Sequence, residues 1–460
     1  MADQSIYELY LGLEREFIEL IRPNPFSAAV NLRLERIAQL LELLGNPHRA
    51  YPSIHVGGTS GKGSTSAMIA AILTEAGYKT GLHMSPHLQI FNERHQIDAN
   101  VAATSRLAEI YADIKPAIAR VAAENPFGLP SYFEAHVALA FLLFQREAVD
   151  AAVIEVGLGG SLDATNVIDA GVAVLTNVGL DHTAILGDTV EKIARDKAGI
   201  IKAGQTVISG FRQPTVRRIV AKRCRQKYAR LLEFGRDFNV ILHDDGTFNV
   251  NLPGQSYANL ELGLKGDFQR INAACAVAAV HSLPNFSIPE EAVRRGLRQA
   301  VIPGRVEIVQ QNPLVILDGA HNPEKITVAR QAIDQLYGDK RRITLLGLKS
   351  DKAAADMLPA VITHTDRLII SQFHLDKSIW EPMEAEKLAH LAADLAPNLR
   401  IEVVHDPLEA LDYALSLAAA DDLVWVTGSF YLLGNVREYW YPSEKLVEQA
   451  ERGLSSALTL

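Results

Sequence analysis

A chain of 460 residues is too long for one ordinary hydrophobic core, so two domains are expected. Hydrophobic residues at 48% and charged residues at 22% give the profile of a globular protein in water, and a formal charge of −9 speaks against nucleic acid as the main partner, because phosphate-backbone binding needs a basic face. The two cysteines, Cys224 and Cys275, stand in no metal-ligand spacing, Met1-Ala2-Asp3-Gln4 opens no signal peptide, and the apolar runs near 135–144 and 273–280 are too short to span a bilayer. Together these features predict a cytoplasmic protein that works on small molecules, with no membrane and no nucleic acid.

In chain order, amphipathic patterns predict helices over 5–20 and 31–45, separated by the breaker Pro23-Asn24-Pro25. A short strand over 52–56 enters a glycine-rich turn, a helical pattern follows over 62–76, and a second strand follows over 80–84. Unbroken apolar runs at 151–156 and 172–176 are what parallel strands covered on both faces require. Alternation changes the pattern over 232–262, where Asp244-Asp245-Gly246 marks a hairpin turn, so this stretch reads as an antiparallel appendage. Helices over 267–281 and 288–300 come next. After Ile302-Pro303-Gly304 the α/β pattern restarts, with strands near 314–318, 342–347, 367–371, 400–404 and 422–427. The expected division is therefore 1–300 and 301–460, both α/β.

The turn Gly57-Gly58-Thr59-Ser60-Gly61-Lys62-Gly63-Ser64-Thr65 lies between a strand and a helix. Glycines let backbone N–H groups face phosphate oxygens, and the helix amino terminus adds a favourable dipole. Gly58, Thr59, Gly61 and Gly63 would shape the cradle, Lys62 would meet the outer phosphates, and Ser64 or Thr65 would reach magnesium. The spacing departs from the standard phosphate loop, since Gly63 separates the lysine from the hydroxyl. A glycine-rich βα turn without nucleotide stays open on these residues alone.

The form Gly58-Thr59-Ser60-Gly61-Lys62-Gly63-Ser64 resembles the loop of the folylpolyglutamate synthases and dihydrofolate synthases of the Mur ligase superfamily, and further motifs follow in that family's order. These are Met84-Ser85-Pro86-His87-Leu88, then Glu155 before Gly157-Leu158-Gly159-Gly160 and Asp163-Ala164-Thr165-Asn166, then Asp181-His182, Asp196-Lys197-Ala198-Gly199 and Asp318-Gly319-Ala320-His321-Asn322-Pro323. The resemblance implies a P-loop-type Mur ligase central domain with a mainly parallel sheet, plus a smaller Rossmann-like α/β carboxyl-terminal domain. It implies ATP and magnesium as cofactors, with Ser64, Ser85 and Glu155 as magnesium ligands. His182 and a carbamylated Lys197 would serve a second metal, while Lys202 reads as a surface lysine. Gln269 and Asn272 would read the nucleotide base or ribose, or else pack as buried amides. Arg305 would reach phosphate. Asp318 and His321 would face phosphates and the incoming amino acid, and Phe133, Asp163 and Ser429 would line the substrates.

The implied reaction joins L-glutamate to a folate or dihydropteroate carboxylate through an acyl phosphate, in a monomeric enzyme. Four positions depart from the family pattern: Ser60 replaces asparagine, Ser161 arginine, Val137 threonine and His95 isoleucine. They lie near the nucleotide and the acceptor pocket, and leave open a Mur-type ligase on a non-folate carboxylate, or an ATP-binding module without ligase activity.

Overall fold

A computed structural model describes residues 5–20, 33–374 and 381–454. The breaker Pro23-Asn24-Pro25 and residues 31 and 32 of the second expected helix lie outside the described residues. The first helix is Ile6–Glu19, closed by a capping box between Ser5 and Glu8, and the second is Leu34–Leu43. The chain forms two compact units. Of the described residues, one comprises those up to Gly263, Gln269–Val301 and 447–454; the other comprises Leu264–Phe268 and those of Ile302–Leu446.

The first unit is built on strands β1 (Ser53–Gly57), β2 (Thr80–His83), β3 (His95–Ile97), β4 (Asn100–Val101), β5 (Ala151–Glu155), β6 (Val172–Leu175), β7 (Thr206–Ser209) and β8 (Arg230–Glu233). Their order across the sheet is β4-β3-β2-β5-β1-β6-β7-β8; β2 to β8 are parallel neighbours, and β3 and β4 add an antiparallel edge. The central strands β1, β5 and β6 are buried along their whole length, which is why they read as continuous apolar runs. Each such Val, Ile or Leu withdrawn from water contributes roughly 1.5–3 kcal/mol. The expected appendage is corrected at its start: β8 is the parallel edge of the large sheet. Only β9 (Asn239–Leu242), β10 (Phe248–Leu252) and β11 (Gln255–Leu260) form the antiparallel sheet, with Gly246 at positive φ in the turn.

The second unit holds β12 (Glu307–Gln311), β13 (Leu314–Asp318), β14 (Arg342–Leu346), β15 (Arg367–Ile370), β16 (Arg400–Val403) and β17 (Leu423–Thr427). They are ordered β12-β13-β17-β14-β15-β16, all parallel but for β12. Trp425 and Ile316 lie in the core of this unit together with Ile326 and Ile333 of the helix Pro323–Tyr337. This is the mixed α/β architecture expected, a large mainly parallel sheet and a smaller parallel-rich one. Every strand predicted from an apolar run agrees with the structure within one residue at either end. Among the described residues no helix is long and apolar enough to cross a membrane.

The helix after the phosphate-loop turn, Lys62–Glu75, is covered by the helix Glu290–Gln299 at a point where only glycine fits. A Cβ on Gly296 would lie 2.6 Å from both the Cα and the N of Ile72. Gly296→Ala is therefore expected to cost about 1–3 kcal/mol by overpacking, read as a lower denaturant midpoint with an unchanged slope.

Candidate active site

Because β2, β5, β1 and β6 are parallel neighbours, their carboxyl ends share one edge, the place where open α/β sheets hold ligands. After β1 the backbone presses so closely on β6 that a Cβ on Gly58 would sit 2.0 Å from Thr176 Oγ1. Gly61, at φ +80, lies against Asn272, whose Oδ1 would be 2.5 Å from a Cβ there. The turn is stitched to the exit of β6. Thr59 N donates to Asn177 O at 3.0 Å and Ser60 N to Asn177 Oδ1 at 2.6 Å. Thr176 Oγ1 donates to Ser60 O at 2.6 Å. With those amides committed, phosphate contact falls to the amides that open the helix Lys62–Glu75, which a helix leaves without intrahelical partners. The hydroxyls of Ser60 and Thr65 are buried with no hydrogen-bond partner among the described residues. A nucleotide phosphate with its metal is the kind of ligand that satisfies such atoms.

Glu155, at the end of β5, joins three loops. Its Oε1 lies 4.0 Å from Lys62 Nζ, and its Oε2 accepts from Ser85 N at 3.0 Å. The Ser85 loop is itself held by Glu93, which accepts from Leu88 N at 2.6 Å, Gln89 N at 3.1 Å and Ile90 N at 3.2 Å. Sequence reasoning assigned no part to Glu93 or Asn177; the signal was present only as acids and amides beside turns. Lys197 is buried, and its Nζ donates to Gly58 O at 2.9 Å, so it belongs to the phosphate loop and is no solvated helix lysine. Lys202 corrects the surface reading, since its Nζ donates to Asn166 O at 2.8 Å and Ile168 O at 3.3 Å.

His182 follows the exit of β6, whose Gly179 bonds the Thr59 hydroxyl at 3.2 Å. It takes a left-handed φ of 50° before the short helix Thr183–Leu186, with a side chain 44% exposed and Nε2 3.9 Å from Asp181 Oδ1. Among the described residues no three His, Cys, Asp or Glu side chains converge on a metal position. The donors that the expected magnesium site would use are of another kind: the Glu155 carboxylate, which the Ser85 amide meets, and the hydroxyls of Ser64 and Ser85 would be hard oxygens. Magnesium accepts such a set when nucleotide phosphates and water complete its octahedron. The residues fit that ion.

Several sequence-selected polar residues build turns. Asp163 accepts from Leu158 N at 2.8 Å and Thr165 N at 2.9 Å, capping the turn Ala164–Val167; burial pushes its carboxyl above the usual range while these bonds pull it down. Gln269 and Asn272 pair with each other at 2.9 Å, with Asn272 propping Gly61. Phe133 packs its ring on Gly157, where a Cβ would meet its Cζ at 2.4 Å.

In the second unit, Asp318 accepts from Val306 N at 3.0 Å and Ala320 N at 2.9 Å, and burial raises its carboxyl above the usual range against the pull of Arg305. Asn322 caps the helix Pro323–Tyr337, and Ser429 caps Phe430–Arg437 through Tyr431 N at 3.1 Å. Arg305 lies over the Phe430 ring, 4.7 Å from its centre, and the His321 ring is 6.1 Å from that of Phe430.

Two family models match the chain: the Mur ligase middle domain over residues 56–280 and the Mur ligase glutamate ligase domain over 304–430. The dihydrofolate synthase/folylpolyglutamate synthase of Bacillus subtilis is 32% identical over 88% of this chain and 94% of its own length. Among solved structures, Mycobacterium tuberculosis folylpolyglutamate synthase complexed with ADP superposes with a TM-score of 0.87 at 30% identity, covering 95% of this chain and 99% of that one. Escherichia coli FolC in complex with DHPP and ADP gives 0.82 at 31% identity, covering 93% and 97%. Fold and site define a Mur-type ligase, with a phosphate loop on β1 and the strand-end carboxylate Glu155 beside it. More narrowly, the chain belongs to the folylpolyglutamate synthase/dihydrofolate synthase family.

Behind the Ser85 loop lies a group the sequence did not announce, the buried histidines His83, His95 and His136 with the partly buried His87. His83 Nδ1 donates to Arg94 O at 3.1 Å, Arg94 Nε donates to His87 Nδ1 at 2.8 Å, and His95 Nε2 lies 3.0 Å from His136 Nδ1. Only His95 had been singled out, as a departure from the family pattern. Desolvation, reinforced by Arg94 and, for His95 and His136, by the other rings, holds all four well below the ordinary imidazole value, His83 at about 3. The folded rings stay neutral, whereas in the unfolded chain each takes a proton near pH 6.5. The unfolded state thus binds more protons between about pH 6.5 and pH 3, and stability falls as pH falls through that window. Each ring contributes about 1.4 kcal/mol per pH unit. Urea melts at pH 7, 6 and 5 are expected to show a steepening loss of unfolding free energy, and a flat profile would contradict neutral buried rings.

Proposed function

We propose that this protein is an ATP-dependent ligase that adds L-glutamate to a folate, with dihydropteroate as a second acceptor for the same site. The observation that carries the reading is identity to folylpolyglutamate and dihydrofolate synthases across most of the chain, with Lys62, Glu155 and Lys197 converging on one phosphate-loop turn. Residues 1–300 are the ATP-binding part and 301–460 the glutamate-ligase part. In this reading the enzyme is cytoplasmic and monomeric and acts on small molecules, and the net charge of −9 speaks against nucleic acid as a partner.

In this reading the amides opening the helix Lys62–Glu75 and the Lys62 ammonium hold the phosphates of ATP. Ser64, Ser85 and Glu155 would hold magnesium, which when bound neutralises phosphate charge. The acceptor carboxylate attacks the γ-phosphorus, the bond to the β-phosphate oxygen breaks, and ADP and an acyl phosphate result. The glutamate amine then attacks the acyl carbon, phosphate leaves with the C–O bond electrons, and the amine loses a proton. Were Lys197 carbamylated by carbon dioxide, it and His182 would hold a second metal, which would neutralise charge on the acyl phosphate. Phe133 carries the acceptor ring, and Arg305, Asp318, His321 and Ser429 serve the nucleotide phosphates and glutamate. Asp163, Gln269 and Asn272 act by shaping the loops, as their hydrogen bonds support.

Phosphate release is expected with ATP, magnesium, glutamate and either tetrahydrofolate or dihydropteroate, and with neither acceptor omitted nor glutamate withheld. Absence of turnover with both acceptors, alongside turnover with another carboxylate, would move the protein to the second ligase reading. Lys197→Ala is expected to lower kcat by about a thousandfold or more, with partial rescue by a short carboxylic acid, whereas full activity would remove Lys197 from the mechanism.

A further inference from the structure

His321 and Lys325 stand one helical turn apart where β13 passes into the helix Pro323–Tyr337. Both ring nitrogens of His321 have close neighbours: Nδ1 lies 3.1 Å from Gly319 O, and Nε2 lies 3.1 Å from Lys325 Nζ. A carbonyl oxygen only accepts, so Nδ1 must carry a hydrogen; an ammonium only donates, so Nε2 must present its lone pair. Each contact independently selects the same state, a neutral imidazole with its hydrogen on Nδ1. The alternative, a neutral amine facing an imidazolium, is disfavoured because a lysine outcompetes an imidazole for a proton by roughly four pH units.

The surroundings act in the same direction. Arg305 and Lys325 both act on Asp318, whose two oxygens are already bound to Val306 N and Ala320 N, and Arg305 stacks on the Phe430 ring beside His321. Two cations therefore lie around one buried carboxyl group, and a proton added to His321 would be a third positive charge placed against Lys325.

We infer that Lys325 is a positioning residue that locks His321 as a neutral Nδ1–H imidazole with its Nε2 lone pair engaged, so that His321 does not act as the base that takes the proton of the incoming amine. The consequence for the amine rests on the ligase reading above; the locked tautomer does not. The glutamate amine must then lose its proton to another group or to solvent.

The test uses the full chain labelled with 15N-histidine, its His321 signal assigned by its loss in His321→Gln. At neutral pH the wild-type ring is expected in the Nδ1–H tautomer. In Lys325→Met, with Lys325→Gln as the substitute should Met not fold, the ring is expected to become a tautomer mixture that gains a proton about one pH unit higher than in wild type. Lys325→Arg, which keeps a donor-only cation, is expected to retain the wild-type spectrum. A wild-type Nε2–H or doubly protonated ring overturns the inference, as does an identical titration in Lys325→Met. The pH dependence of kcat/KM for glutamate is the second readout: an acid limb near pH 6.5 is expected in Lys325→Met and not in wild type or Lys325→Arg. Such a limb in wild type that vanishes in His321→Gln overturns the inference. Should no folate acceptor turn over, the ligase reading falls while the nitrogen spectra still decide the tautomer.

Discussion

The first unit depends on one buried carboxylate. Glu155 ends β5, which lies between β2 and β1, and from that middle position it reaches the loops of both neighbours, through Ser85 N on one side and Lys62 on the other. Taking a carboxylate out of water costs several kcal/mol unless donors replace the lost hydration. The Lys62 ammonium and the Ser85 amide supply that replacement, and in doing so they fix where the phosphate loop and the Ser85 loop stand relative to each other. From the far side of β1, Lys197 holds the loop by the carbonyl of Gly58, so the strand order β2-β5-β1-β6 is itself a requirement of the site.

Such convergence needs backbone to approach backbone, and the glycines mark where it does. Gly58 lets the turn after β1 lean on Thr176, and Gly61 takes a left-handed conformation against Asn272. A residue with a Cβ at Gly58 would push the turn off β6 and undo the bonds from Thr59 and Ser60 to Asn177. The same bonds commit the amides of Thr59 and Ser60 to Asn177.

Local physics was legible in the sequence, and partners distant in sequence were not. Most strands of both sheets were readable because residues buried on both faces leave an uninterrupted apolar run, as β13 and β5 do, whereas β3, β4, β7 and β12 were not read. β8 was misread because this short, partly exposed strand runs directly into the antiparallel strands after it, and only sheet order tells an edge strand from an appendage. At the site, Lys62 and Glu155 were found from their place at strand ends. Glu93 and Asn177 were not, since what they do is accept or offer hydrogen bonds to backbone atoms, and any acid or amide near a turn has the same local signature. The buried histidines were hidden for a related reason: His83, His95 and His136 lie on three different elements, and no spacing in the chain brings them together.

The turn after β13 carries this division of labour furthest. Its Asp-Gly-Ala-His-Asn-Pro sequence looks like a row of reactive side chains, yet Asp318 is spent on the amides of Val306 and Ala320, Asn322 on the amide of Lys325, and Ser429 across the sheet on the amide of Tyr431. Such bonds offset the cost of burying polar groups and hold the turn in one conformation, which is what a binding site requires of its frame. Arg305 and Lys325 both act on that carboxyl group, which is buried and raised toward its neutral form. A rigid turn with these two cations beside it is suited to anionic ligands such as phosphate or an amino acid carboxylate. The signature therefore reads as a frame for charge recognition before it reads as a set of catalytic groups.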